Sequence, residues 1–101
     1  MKERLGKCYQ LAGRYALDHP NSTLIHGTIN GIKFTGIDFD NPHAWIEEGE
    51  EAYDLVLDYR LPKEVYYKLM QAKVIKKYNH NAMKKMILKT TFWGPWKGVK
   101  I

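Results

Sequence analysis

Cys8, His43 and Asp54 are the side chains of this 101-residue chain whose types and order could carry covalent chemistry. A thiol becomes a nucleophile when a helix N-terminus or a neighbouring imidazolium lowers its pKa. Cys8 follows Gly6-Lys7 at the opening of a helical pattern, and Lys7 adds a positive charge beside it. The competing reading of a lone helical cysteine is a small buried hydrophobe. Because it is the only cysteine, Cys8 can form no internal disulfide and is a free thiol suited to a reducing compartment.

His43 lies at the start of Pro42-His43-Ala44-Trp45-Ile46-Glu47, a strand-like run, and Asp54 lies in the next one. A two-residue Glu48-Gly49 turn would set His43 directly opposite Asp54, with Cβ atoms about 5 Å apart. A four-residue turn from Glu48 to Glu51 would make them diagonal neighbours on the same face, whereas an odd-length loop would put them on opposite faces. In either even register Asp54 can orient the imidazole, the part of the third member of a nucleophile, base and orienter triad. Trp45 shares the face of His43 by alternation, as a packing wall or a substrate contact. His26, on an earlier strand, is either a second active-site histidine or a satisfied core residue.

Those side chains need elements to hold them. Leu5, Cys8/Tyr9, Ala12 and Tyr15/Ala16 recur at helical spacing and predict a first helix that ends before His19-Pro20. From Thr23 the pattern turns to strands: Thr23–Ile29 and Ile32–Phe34 around an Asn30-Gly31 hairpin signal, then Ala44–Glu47 and Ala52–Leu57. The apolar stripe of Lys63–Ile75 predicts a helix started by Pro62, and Asn79 or Asn81 could cap a last helix through about Leu88. The Phe92-Trp93-Gly94-Pro95-Trp96 close is irregular, a lid over the site or a cap on a core edge. The expected fold is a single α+β domain over 1–101: a cysteine-bearing N-terminal helix, a four-stranded antiparallel sheet and two C-terminal helices.

These runs resemble the transglutaminase-like branch of the papain-like thiol enzymes. Gly6-Lys7-Cys8-Tyr9-Gln10-Leu11-Ala12 is similar to that family's cysteine helix start, and Leu24-Ile25-His26-Gly27 to the strand that follows it. His43-Ala44-Trp45-Ile46-Glu47 resembles the histidine strand and Tyr53-Asp54 the aspartate strand, in the family's order of Cys, His, Asp. The resemblance implies a papain-like core with Cys8 as nucleophile, His43 as general base and Asp54 as its orienter. It also implies the Cys8 backbone N–H as an oxyanion donor, and amide or ester hydrolysis, deamidation or acyl transfer on a protein or peptide-like acyl substrate.

Charge bounds the partners. Residues 1–59 carry five Lys/Arg against ten Asp/Glu, and residues 60–101 carry eleven against one. That asymmetry suits an acidic substrate or partner, and equally a solvated basic helix face. The rival function is a non-catalytic binding module for nucleic acid or an acidic protein. It would use Arg60, Lys63, Lys73, Lys76, Lys77, Lys84, Lys85 and Lys89, with Tyr66, Tyr67, Tyr78 and Trp93 for stacking. His19, His26, His43 and His80 show no metal-ligand spacing and no Gly-rich phosphate loop is visible, so neither a metal nor a cofactor is expected. The start lacks the apolar segment of a secretory signal and no run reaches the ~18 apolar residues of a membrane span, which together predict a cytoplasmic protein.

Overall fold

A computed structural model of the chain describes residues 7–30 and 40–96. The elements in order are α1 (Cys8–Asp18), β1 (Thr23–Asn30), β2 (Asp40–Glu48), β3 (Glu51–Asp54), β4 (Tyr59–Pro62), α2 (Lys63–Met70), β5 (Lys73–Tyr78) and α3 (His80–Thr90). The architecture is α+β, three helices on an antiparallel sheet of five strands ordered β4-β3-β2-β1-β5.

Strands β1 and β2 are central, and helices cover both of their faces. This is why Leu24–Gly27 and His43–Ala44–Trp45–Ile46–Glu47 are buried without alternation. On one face Leu24, Ala44 and Ile46 pack with Cys8, Ala12 and Ala16 of α1 and with Met83 and Met86 of α3. On the other, Ile25, Trp45 and Ala52 pack with Tyr66 and Met70 of α2. The spacing of four between Cys8, Ala12 and Ala16 lays one stripe of α1 along the sheet. That helix stops at Asp18, ahead of Pro20, as its sequence predicts. Asn79 caps α3, its side-chain oxygen accepting from the Ala82 amide at 2.8 Å.

Three expectations need correction, and the expected Asn30-Gly31 hairpin falls on residues beyond those described. The partner of β1 that the structure shows is Asp40–Glu48, with Ile29 opposite Asn41 and Asn30 opposite Asp40. The expected strand Ile32–Phe34 lies outside the described residues. Ala52–Leu57 is not one strand: β3 ends at Asp54, and a turn leads to β4, which pairs back on β3. The helix of Lys63–Ile75 stops at Met70, where Gln71 takes a left-handed φ of 49°, and Lys73–Tyr78 becomes edge strand β5 beside β1. The sheet therefore has five strands rather than four, with β5 between the last two helices. Val74 and Ile75, apolar and β-branched, fit a helical stripe and a strand equally well, and only pairing with β1 decides between them. Among the described residues, no helix is long and apolar enough to cross a membrane.

Candidate active site

The β2–β3 ladder begins at Glu48 opposite Glu51, across the two-residue turn Gly49-Glu50, in which Gly49 has φ 59°. The turn has two residues but lies one position later than the Glu48-Gly49 turn considered from sequence, so its register is the diagonal one expected of the four-residue turn. Its last pair is Ile46 with Tyr53, so β2 runs on past the end of β3. His43 and Asp54 meet there across the diagonal, with His43 Nε2 2.7 Å from Asp54 Oδ2.

Asp54 is held on both carboxylate oxygens. Oδ1 accepts the backbone amides of Val56 at 3.0 Å and Leu57 at 3.1 Å, an Asx-type turn that ends β3. Oδ2 accepts from His43 and from the Tyr66 hydroxyl, 2.7 Å away on α2. Asp54 is 0% exposed, and such a carboxylate survives burial because four donors satisfy it. Burial pushes its pKa up. The hydrogen bond and charge of His43, then Tyr66 and the Leu57 amide, more than reverse this and hold it below the ordinary carboxylate value.

His43 is 7% exposed, and burial pulls its pKa down. Hydrogen bonding to Asp54 and to Cys8, and then the charges of both, lift it to about 9. The imidazole is therefore a cation at neutral pH, with Nε2 committed to Asp54 and Nδ1 left as the ring nitrogen facing other partners. Cys8 approaches from α1 as its first helical residue and is buried at 7% exposure. The first amides of an α-helix have no intrahelical acceptor. Lys7, as N-cap, offers them no side-chain acceptor, and the first turn holds no acidic residue, so the positive end of the helix dipole falls on Cys8 uncompensated. The structure thus joins His43 to Asp54 directly, and the Cys8 thiol acts on the same imidazole by raising its pKa.

Trp45 is 0% exposed, stacked 6.4 Å from the His43 ring and packed against Tyr66 and Tyr67. It is a wall behind the imidazole, with its ring wholly buried. His26 lies on the α1 side of the sheet at 6% exposure. Its Nε2 has no hydrogen-bond partner, and burial pulls its pKa down to about 4.

From sequence Tyr66 is a residue of the Lys63–Ile75 stripe and a candidate stacking ring rather than a partner of Asp54, although a tyrosine in such a stripe carries a hydroxyl that burial obliges to find a partner. Burial first, then the Asp54 charge, push its pKa up, so it stays a hydrogen-bond donor. Trp96 is in the core, with its Nε1 donating to the Phe92 carbonyl at 2.9 Å, and Trp93 sits on Gly13 of α1, so this segment caps the core edge.

The basic half is partly engaged. Arg60 contacts Glu48 at 2.9 Å and the Tyr15 hydroxyl at 3.2 Å, Lys73 contacts Asp40 at 3.0 Å, and Lys77 contacts Glu47 at 3.6 Å. Tyr66 and Tyr78 are buried, while Lys84 and Lys85 of α3 are exposed. Among the described residues no cluster of three or more His, Cys, Asp or Glu is arranged to hold a metal ion. No family model, no curated protein and no solved structure matches this chain.

Proposed function

We propose that the chain is a thiol enzyme acting at an acyl carbon, a small relative of the transglutaminase-like, papain-like enzymes. Cys8 is the nucleophile, His43 the base and acid, and Asp54 the orienter. The observation that carries the reading is the His43 Nε2 to Asp54 Oδ2 contact of 2.7 Å, with Cys8 as the other side chain acting on the same imidazole.

In this reaction the Cys8 proton resides on His43, and the sulfur attacks the carbonyl carbon to give a tetrahedral oxyanion. The unpaired amides at the start of α1, that of Cys8 among them, are suited to receive it. Collapse of the adduct expels an amine or alcohol, which takes the proton from His43 and leaves an acyl-cysteine. Water or an amine, deprotonated by His43, then attacks that thioester and releases Cys8. Asp54 keeps Nε2–H bound throughout, fixing the tautomer that turns Nδ1 toward the thiol. The substrate class is a protein or peptide-like acyl group, acidic by complementarity with the positive C-terminal half, and a free thiol nucleophile suits the cytoplasm.

The test is the rate of Cys8 alkylation by iodoacetamide at neutral pH in the native chain, His43→Ala and Asp54→Asn. The proposal expects losses of about tenfold or more in both variants with the fold retained. Unchanged rates in folded variants would leave Cys8 as a packing residue.

A further inference from the structure

On the α1 side of the sheet a cavity of about 410 Å³ is walled by Tyr9 of α1, Tyr78 of β5 and Trp96, a volume in the range of small-molecule sites. It stands apart from the proposed chemistry. His43 alternates with Trp45 onto the other face of β2, where Trp45 packs with Tyr66 of α2, and neither Cys8 nor His43 lines the cavity.

The mouth of the cavity is shaped by an irregularity in β5. His26 pairs with Lys76 and Gly27 with Val74, so one step along β1 matches two along β5, and Ile75 is the extra residue of a β-bulge. In a regular strand Ile75 and Lys76 would point to opposite faces. Across the bulge both line the same cavity, and Ile75 is 67% exposed. Bulges and lysines also guard strand edges against unwanted pairing, but a guard needs no exposed isoleucine at the mouth of an aromatic hollow.

The wall behind the mouth is flat and apolar. Tyr78 and Trp96 meet edge to face at 5.0 Å, Tyr9 meets the His26 ring at 4.8 Å, and Pro42 and Pro95 extend the surface. Charge is confined to one residue. No carboxylate lines the cavity and burial holds the pKa of His26 down to about 4, so among the described residues Lys76 is the one lining side chain charged at neutral pH. Its ammonium lies 5.9 Å from the Tyr78 ring centroid and forms no ion pair among the described residues. An apolar wall with a single unopposed cation at its edge suits a molecule with a flat apolar body and an anionic end.

We propose that this cavity binds an aromatic carboxylate, with its ring against Tyr9, Tyr78 and Trp96 and its carboxylate on Lys76. The bulge serves this site by bringing Ile75 onto the ring and Lys76 onto the charge from adjacent positions of one strand.

The test titrates 2-naphthoate, 2-naphthamide and 2-naphthylmethylammonium into the native chain while the Ile75 methyl and Trp96 indole resonances are followed. 2-Naphthoate should move both and bind about fivefold more tightly than the amide, the worth of one partly exposed ion pair, and the ammonium compound should bind most weakly. Lys76→Gln should bring naphthoate and naphthamide to equal affinity with the same resonances still moving. Lys77→Gln, which removes the neighbouring cation that pairs with Glu47 on the α2 side, should leave the fivefold ratio intact. Both variants should melt cooperatively, as exposed positions allow. Equal affinities in the native chain, or a preference for naphthoate that survives Lys76→Gln, would overturn the carboxylate assignment. Ile75 and Trp96 resonances that stay still at millimolar ligand, or movement confined to the lysines of α3, would overturn the cavity itself.

Discussion

The Tyr66 hydroxyl donates to Asp54 Oδ2, the same carboxylate oxygen that receives His43 Nε2, and both contacts are 2.7 Å long. Helix α2, on one side of the sheet, thereby aims the carboxylate that aims an imidazole facing a thiol from α1. Removing the hydroxyl without the ring isolates this link. Tyr66→Phe is expected to cost about 1–2 kcal/mol of stability, because a buried charged acceptor loses one of its donors. It should slow Cys8 alkylation less than Asp54→Asn does, while moving the downfield His43 Nε2–H proton resonance. An unmoved resonance would reduce Tyr66 to packing.

His43 and Asp54 should behave as one unit toward Cys8. In a double-mutant cycle of His43→Ala and Asp54→Asn on the iodoacetamide rate, the double variant should be no slower than the worse single one, since either loss already disables the base. Melting curves run beside it separate chemistry from unfolding. Additive rate losses that track melting temperature would make both residues scaffold.

Stability against pH should peak near 6.5, with each limb set by a different histidine. The folded pKa of His43 is raised to about 9, so its contribution is complete below about 6.5 and is lost as pH rises through 9. The folded pKa of His26 is lowered to about 4, so the unfolded chain takes up its proton first and stability is lost as pH falls from about 6.5 toward 4. Each limb is on the order of 3 kcal/mol. The lowered pKa of Asp54 adds a further loss below about pH 4, its unfolded value. Urea denaturation between pH 4 and 9 checks this: His26→Phe should flatten the acid limb and His43→Ala the alkaline one. A native profile flat across this range would contradict both assignments.

Gly27 should tolerate no side chain. A Cβ there would lie 2.1 Å from the Lys73 carbonyl oxygen and 2.8 Å from Trp45, so Gly27→Ala must push β5 off β1 or shift the tryptophan behind His43. The expected cost is about 3 kcal/mol, read as a fall in melting temperature. A variant that melts with the native chain would mean that β5 does not press on β1 as closely as this.

Some of this molecule was determined locally and could be read from the chain. The α1 stripe of Cys8, Ala12 and Ala16, its stop ahead of Pro20, the Asn79 cap of α3 and the cysteine at a helix start depend on neighbours within about one turn. The common sheet face of His43 and Asp54 was also accessible, because any even turn preserves it. What the tertiary structure alone decided was non-local. β1 pairs with Asp40–Glu48, a partner that no local signal names, in the register that buries Ile25 against Trp45 and Leu24 against Ile46. Lys73–Tyr78 satisfies helix and strand patterns alike until the edge of β1 supplies its hydrogen bonds. The hydroxyl of Tyr66 on Asp54, 12 residues away, and the unpartnered Nε2 of His26 under Trp96 appear only when separate segments are packed together. A periodic pattern records which side of an element is buried, but the partner waiting there is chosen by the fold.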